Sequence, residues 1–147
     1  MATTRREFLR ASMVGGLAAA AVSLPALRAL GAEPTKEGYQ VPKDPANLTP
    51  LEQVHWPKLS IREGRGGADY SRLMIQIGQE IHPMTAEHHI EWVEVWAGGK
   101  KLAHTDFAEP TAVKPVVSVA VVAPAGTELT VRTKCNLHGL WENMIKM

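Results

Sequence analysis

After residue 50, short β-prone runs separated by turn residues dominate the chain. Leu73, Ile75 and Ile77 alternate with polar neighbours, as in a strand with one buried face. β-Branched and aromatic residues fill two further runs, Ile90–Trp96 and Val116–Val122. Closely spaced strands with turns between them predict an all-β fold, a small antiparallel sandwich or barrel.

Glycine and proline mark the turns between these runs. Gly98-Gly99 predicts a hairpin turn from the 90–96 run into Lys100–Phe107. Pro124-Ala125-Gly126 turns the 116–122 run into Glu128–Lys134, and Trp141–Met147 reads as a last strand. Helix-like periodicity is confined to the first thirty residues, and from residue 51 onward short strands with turns are predicted.

The first 32 residues have the layout of a secretory signal. Arg5 and Arg6 precede a weakly apolar run, Ala11–Leu24, and small residues follow up to Ala32. The paired arginines, followed by Phe8 and a leucine, resemble the twin-arginine signal. A membrane span needs about twenty apolar residues, so this run, rich in alanine and glycine, predicts no stable membrane insertion. We predict a signal peptide at 1–32, cleaved after Ala32, and a periplasmic mature protein.

The mature chain divides into an arm and one domain. Residues 33–50 contain Pro34, Pro42, Pro45 and Pro50 among polar residues, which is typical of an extended arm or linker. Residues 51–147 are enough for one domain with a core. Without residues 1–32 the formal net charge falls from +1 to −2, because four arginines and one glutamate are removed. That balance gives no broad basic surface for nucleic acid.

Five of the six histidines and the only cysteine fall in three short stretches at strand ends or in loops, where a scaffold can aim side chains at one point. Imidazole nitrogens and a thiolate suit Fe, Cu or Zn and do not suit Mg or Ca. The stretches therefore predict a transition-metal site. His104 lies apart and is interpreted as a structural or surface residue. The clustered residues are His55; His82, His88 and His89; and Cys135 and His138.

All three stretches resemble segments of the superoxide reductase family, which includes desulfoferrodoxin and neelaredoxin. His82-Pro83-Met84 with His88, followed by Ile90-Glu91-Trp92, looks like the family's iron-site segment. Residues 135–141, Cys-Asn-Leu-His-Gly-Leu-Trp, are similar to its C-terminal segment, and His55-x-Pro57 looks like its first ligand. The resemblance covers residues 51–147. It implies an immunoglobulin-like antiparallel β-sandwich with one mononuclear non-haem iron.

The resemblance also implies the roles of individual residues. His55, His82, His88 and His138 would be equatorial iron ligands and Cys135 the axial one, with Cys135 and His138 as the catalytic residues. Iron, cycling between Fe2+ and Fe3+, would reduce superoxide to hydrogen peroxide by one electron and be re-reduced by an external electron donor protein. Because Cys135 is the only cysteine, the chain resembles the single-iron, neelaredoxin-like type. Related proteins assemble as homo-oligomers.

One departure from the family pattern lies directly before His55. The family usually has Glu-Lys there, and this chain has Gln53-Val54. In the family, the lysine is thought to attract superoxide and organise a proton-donating water, and the glutamate can cap the sixth iron position. Lys58 and Lys134 are candidates for the missing positive charge. The departure is expected to affect the rate of superoxide reduction and the coordination of the resting iron more than metal binding itself.

Two other functions fit parts of the pattern. A blue-copper electron carrier also uses a β-sandwich, and Cys135, His138 and Met144 mimic its C-terminal ligand loop, but four candidate histidines are too many for it. The second alternative is a metal-free or zinc-filled sandwich that serves only as an interaction module, because sandwiches host many functions. The identity of the bound metal separates the three hypotheses.

Overall fold

The computed structural model describes residues 38–147. The predicted signal at 1–32 and residues 33–37 of the predicted arm lie outside the described residues. Within the described part the chain forms eight strands and one short α-helix, with two single-turn 3₁₀ segments. The elements are β1 Tyr39–Gln40, α1 Pro50–His55, β2 Pro57–Glu63, β3 Ser71–Ile77, β4 Ile90–Ala97, β5 Lys100–Asp106, β6 Val116–Val121, β7 Glu128–Cys135 and β8 Gly139–Lys146.

The strands form two sheets that pack face to face. One sheet has the order β1-β8-β7-β4-β5 and the other the order β2-β3-β6. Every pairing is antiparallel except that of β1 with β8, which is parallel. The predicted all-β, immunoglobulin-like sandwich is therefore confirmed.

Alternation of apolar and polar residues places the core between the sheets. Leu73 and Ile77 of β3 are fully buried, as the alternation in that run predicts. Val95 of β4 and Leu129 and Val131 of β7 cover them from the five-stranded sheet. The strand β3 thereby gives one face to the core, whereas the central strands β4 and β7 are buried on both faces, as Trp96 and Arg132 show.

The two predicted turns have different roles. Gly98 and Gly99 form the β4–β5 hairpin with φ of 54° and 79°, and Ala97 pairs with Lys100 across it. The turn at 124–126 joins strands of different sheets, because β6 belongs to the three-stranded sheet and β7 to the five-stranded one. Turn residues indicate that the chain reverses its direction. They do not specify whether the strand after the turn pairs with the strand before it.

The prediction of strands alone after residue 50 is wrong at α1. Thr49 caps this helix through a capping box: its hydroxyl accepts a hydrogen bond from the Glu52 amide, and the Glu52 carboxylate accepts one from the Thr49 amide. Pro50 occupies the first turn, where its missing N–H costs nothing. These signals are in the sequence, but six residues are too few to give a helical period.

The described part of the predicted arm contributes one short strand to the sandwich. Tyr39 and Gln40 form β1 and pair with Leu140 and Trp141 of β8. Between β1 and α1 the chain has no regular structure apart from turns. Across residues 38–147, the helices are all too short or too polar to span a lipid bilayer.

Candidate metal centre

Three chain segments meet at one end of the sandwich and bring together four histidines and one cysteine, which are side chains of the types that bind transition metals. His55 is the last residue of α1, and His82 and His88 lie in the loop between β3 and β4. Cys135 ends β7, and His138 precedes Gly139 in the tight turn to β8. His55, His82 and Cys135 are fully buried, and the other two are half-buried.

The four imidazoles form a ring. Its sides, taken between ring centroids, are 4.6 Å from His55 to His82, 4.5 Å from His82 to His88, 4.8 Å from His88 to His138 and 4.6 Å from His138 to His55. Neighbouring rings are nearly perpendicular, whereas His55 and His88, 5.6 Å apart, face each other with an interplanar angle of 31°. This is the arrangement of four nitrogen donors around a central point.

The cysteine lies against this ring. Cys135 Sγ is 3.6 Å from His138 Nδ1, and His138 Nδ1 is 3.2 Å from His88 Nε2. The donor atoms of His55, His82, His88 and Cys135 all lie within 4.8 Å of one another. One ion can therefore reach a thiolate and several imidazole nitrogens together.

Backbone carbonyls fix the orientation of the two buried imidazoles. The Nδ1–H of His55 donates to the Leu51 carbonyl at 2.7 Å, and that of His82 donates to the Pro83 carbonyl at 2.6 Å. The proton on Nδ1 leaves Nε2 of each ring with a lone pair. Both Nε2 atoms are buried and have no hydrogen-bond partner within residues 38–147. A buried lone pair without a partner is costly in a metal-free protein, and coordination of a metal would satisfy both.

The local environment keeps these imidazoles neutral. Burial lowers the pKa of His82 to about 3, with repulsion from His55 adding to the effect. Burial also lowers the pKa of His55 and of His88 below the ordinary histidine value. Neutral imidazole is the form that binds metal, so no proton has to leave these rings at neutral pH. The donor set, with the imidazoles of His55, His82 and His88 neutral, fits a transition-metal ion such as iron.

Asn136 connects the two loops that carry four of the five side chains. Its Nδ2 donates to the Glu87 carbonyl at 2.9 Å, and its Oδ1 accepts from the His89 amide at 2.9 Å. Its own backbone amide donates to the His89 carbonyl at 3.1 Å. The turn after Cys135 and the loop that carries His88 are thus held in register. Asn136 belongs to the motif at 135–141, but the motif alone predicts no role for it.

Trp141 supports the ring from the sandwich interior. Its indole stacks on His55 with centroids 5.2 Å apart and planes 21° apart, and it is 2% exposed. Trp56, next to His55, donates its indole N–H to the Glu142 carbonyl at 3.0 Å. Both contacts tie the end of α1 to β8.

Other residues singled out from the sequence lie outside the cluster. His89 bonds the Thr85 carbonyl through Nδ1 at 3.0 Å. His104 lies between Glu94 and Asp106, at 3.0 and 2.9 Å from their carboxylates. Met144 is 46% exposed on β8, opposite Thr130. Thr130 is five residues from Cys135 along β7, about 17 Å of extended chain.

Of the charged residues near the departure at Gln53-Val54, Glu52 and Lys134 are bonded to other groups, whereas Lys58 is exposed to solvent. The Glu52 carboxylate bonds the amide and hydroxyl of Thr49 at 2.7 and 2.9 Å. Lys134 pairs with Glu91 at 2.6 Å. Lys58 is exposed on β2, in register with Gln76 of β3. Gln53 uses its backbone carbonyl to accept from the amides of residues 79 and 80, which fixes α1 against the loop that carries His82.

Residues 47–144 match the sequence profile of the desulfoferrodoxin family. The superoxide reductase of Pyrococcus horikoshii is 32% identical over 96 residues, which are 58% of this chain and 79% of the relative. The structure of the superoxide reductase from Nanoarchaeum equitans is similar with a TM-score of 0.56 at 26% identity, over 65% of this chain and 94% of that one. The superoxide reductase (neelaredoxin) from Ignicoccus hospitalis is similar with a TM-score of 0.53 at 28% identity, over 64% of this chain and 80% of that one.

Proposed function

The chain belongs to the desulfoferrodoxin family, and on that premise we propose that it is a superoxide reductase with one non-haem iron. The observation that carries the proposal is the ring of four imidazoles with a thiol beside it. Iron bound there supplies a one-electron Fe2+/Fe3+ couple. The proposed ligands are His55, His82, His88, His138 and Cys135, and the proposed catalytic residues are Cys135 and His138.

The proposed ligands differ in the atom that they present to the ion and in their effect on its redox potential. His55 and His82 present Nε2, because their Nδ1–H groups are held by backbone carbonyls. His138 presents Nδ1, the ring atom nearest both the thiol and His88. Cys135, buried at the end of β7, supplies the anionic sulfur that tunes the potential of the couple.

The substrate reaction needs one electron and two protons for each superoxide converted to hydrogen peroxide. Glu52 is bonded in the helix cap and Lys134 is paired with Glu91, so we assign the proton supply to solvent water. The electron comes from an external donor protein. Within residues 38–147 a single group of side chains is placed to hold a redox metal, and the sequence has a single cysteine.

We further propose that residues 1–32 direct export by the twin-arginine route and that the mature protein works in the periplasm. Pre-folded export lets iron enter the site before the protein meets copper and zinc, which bind such donors more tightly. Arg5→Lys together with Arg6→Lys should move the protein from the periplasmic to the cytoplasmic fraction, whereas Arg10→Lys should not. Unchanged export of the double variant would refute the route.

The decisive experiment combines metal analysis with a peroxide assay on the mature chain. We expect about one iron per chain and one hydrogen peroxide formed per superoxide consumed. Cys135→Ala should abolish superoxide reduction while the metal-free chain stays folded. His104→Gln, which changes a histidine outside the ring, should keep both iron and activity.

The metal found decides among the alternatives. Copper in place of iron would favour an electron carrier, and zinc or no metal would favour a sandwich without redox chemistry. Superoxide reduction at the parent rate by Cys135→Ala would refute the proposed mechanism.

A further inference from the structure

Strand β1 lies outside the part of the chain that matches the family profile, yet it pairs with the strand that follows His138. The profile match begins at residue 47, and β1 consists of Tyr39 and Gln40. Its parallel pairing places Tyr39 beside Leu140 and Gln40 beside Trp141. The arm therefore reaches β8 at the first residues after the Cys135–His138 turn.

The side chain of Gln40 binds both carbonyls that flank Gly139. Its amide nitrogen donates to the His138 carbonyl at 2.6 Å and to the Leu140 carbonyl at 3.4 Å. Gly139 has φ of +77°, a left-handed conformation that glycine adopts without strain. The amide nitrogen of Gln40 would lie 3.6 Å from a Cβ at that position. One side chain thus fixes two of the carbonyls that this sharp turn exposes.

A second contact holds β1 at the edge of the five-stranded sheet. The ring of Tyr39 lies over the guanidinium of Arg132, 4.7 Å from ring centroid to Cζ. Arg132 is fully buried, and its Nε donates to Glu142 at 2.7 Å. A cation–π contact to a desolvated guanidinium is among the stronger ones. The position of Gln40 is thereby set by packing as well as by strand pairing.

We propose that Gln40 is a positioning residue for the metal centre, acting through the His138 backbone. By holding the carbonyls of His138 and Leu140, it fixes the turn that aims His138 Nδ1 at Cys135 and His88. The inference rests on the proposed metal site, but the residue to which it gives a role, Gln40, precedes the matched residues 47–144. On this proposal the arm does more than connect to the domain, because its residue Gln40 helps to orient a metal ligand.

The size of the expected effect follows from the exposure of Gln40. Its side chain is exposed, so water competes for both carbonyls. When water can replace the donor, a hydrogen bond contributes about 0.5–1.5 kcal/mol to the free energy. Converted to a rate ratio, this predicts roughly a threefold to tenfold faster release of the metal when the amide is lost.

The test compares Gln40→Ala and Gln40→Glu with Val41→Ala in the mature chain loaded with Co2+, whose visible spectrum reports ligand geometry. Val41 is the next residue of the arm and is 56% exposed. Both Gln40 variants should release Co2+ to a chelator about threefold to tenfold faster and shift the spectrum. Val41→Ala should match the parent. Parent-like release and spectrum in both Gln40 variants would overturn the proposal.

A metal-free measurement separates this proposal from the proposed function. In the apo chain, amide hydrogen exchange across residues 136–140 should be about threefold to tenfold faster in Gln40→Ala and unchanged in Val41→Ala. Equal exchange in the two variants would overturn the role of Gln40. A parent chain that binds Co2+ but, when loaded with iron, does not reduce superoxide would refute the proposed function. The comparison of the Gln40 and Val41 variants would remain valid.

Discussion

The indole of Trp141 lies parallel to the imidazole of His55, with ring centroids 5.2 Å apart and planes inclined by 21°. The indole N–H is buried and has no partner within the described residues. Trp141 therefore supports the site through its flat aromatic face, which restricts rotation of the His55 ring. The indole N–H of Trp141 makes no hydrogen bond to any of residues 38–147.

This relationship predicts different outcomes for two substitutions of Trp141. Trp141→Phe keeps an aromatic face against His55 and should change the rate of iron release by less than about threefold. Trp141→Leu removes the stack and should accelerate release about tenfold, as loss of outer contacts to a metal ligand usually does. Release into a chelator, followed by absorbance, measures both. Equal rates for the phenylalanine and leucine variants would contradict the role of the stack.

The pKa of His82, lowered to about 3 by burial, predicts how the metal-free protein responds to acid. Unfolding returns His82 to an ordinary pKa near 6.5, so the unfolded chain binds a proton that the folded chain refuses. The free energy of unfolding should be highest above pH 6.5 and fall as the pH drops from 6.5 toward 3. The lowered pKa values of His55 and His88 act in the same direction.

Urea unfolding of the apo chain at pH 7.5, 6.5 and 5.5 tests this prediction. Those values lie above the range in which carboxylates titrate. In His82→Gln the slope against pH should be smaller than in the parent. A parent curve that is flat between pH 7.5 and 5.5 would contradict neutral imidazoles in the folded state.

The sequence predicts the fold and the grouping of the site residues for different physical reasons. Strand alternation is local, so Leu73, Ile75 and Ile77 reveal a buried strand without knowledge of its partner. Helix α1 was missed because six residues cannot display a helical period, although Thr49 and Glu52 form its cap. The histidines and Cys135 stand out because so many metal-ligating side chains rarely share short loops.

Positioning contacts could not be predicted, because they join residues far apart in the chain. Gln40 and His138 are separated by 98 residues, and Asn136 and His89 by 47. Nothing in the local sequence of either partner specifies the other, since strand order decides which loops meet. The turn at 124–126 illustrates the same limit: its residues specify a reversal, and packing specifies the sheet that receives β7.

Asn136 offers a nearly isosteric test of loop register. Asn136→Asp keeps an acceptor for the His89 amide but loses the donor to the Glu87 carbonyl. We expect iron release to be about tenfold faster and the spectrum of the bound metal to shift. Asn47→Ala is the control, because the Asn47 side-chain amide donates to the exposed Asp44 carboxylate, within the same surface turn. Release at the parent rate from Asn136→Asp would indicate that the strands alone hold the loops.

A buried carboxylate on the β4–β5 hairpin should affect stability without affecting the site. Glu94 is 6% exposed and accepts hydrogen bonds from Trp96 at 2.9 Å, Lys101 at 2.5 Å and His104 at 3.0 Å. Burial alone would raise the pKa of Glu94. The bonds from Lys101, Trp96 and His104 outweigh burial and hold the pKa below its ordinary value.

Glu94→Ala should therefore lower the free energy of unfolding by about 2–4 kcal/mol, because it leaves the Trp96 indole N–H buried and Lys101 without its partner. The contribution of Glu94 is present above pH 4.5 and is lost as the pH falls through its lowered folded pKa. Iron content should stay at the parent value, since Glu94 bonds no residue of the loops that carry the ring. Urea unfolding combined with metal analysis checks both statements, and loss of iron from a still folded Glu94→Ala chain would contradict the separation between hairpin and site.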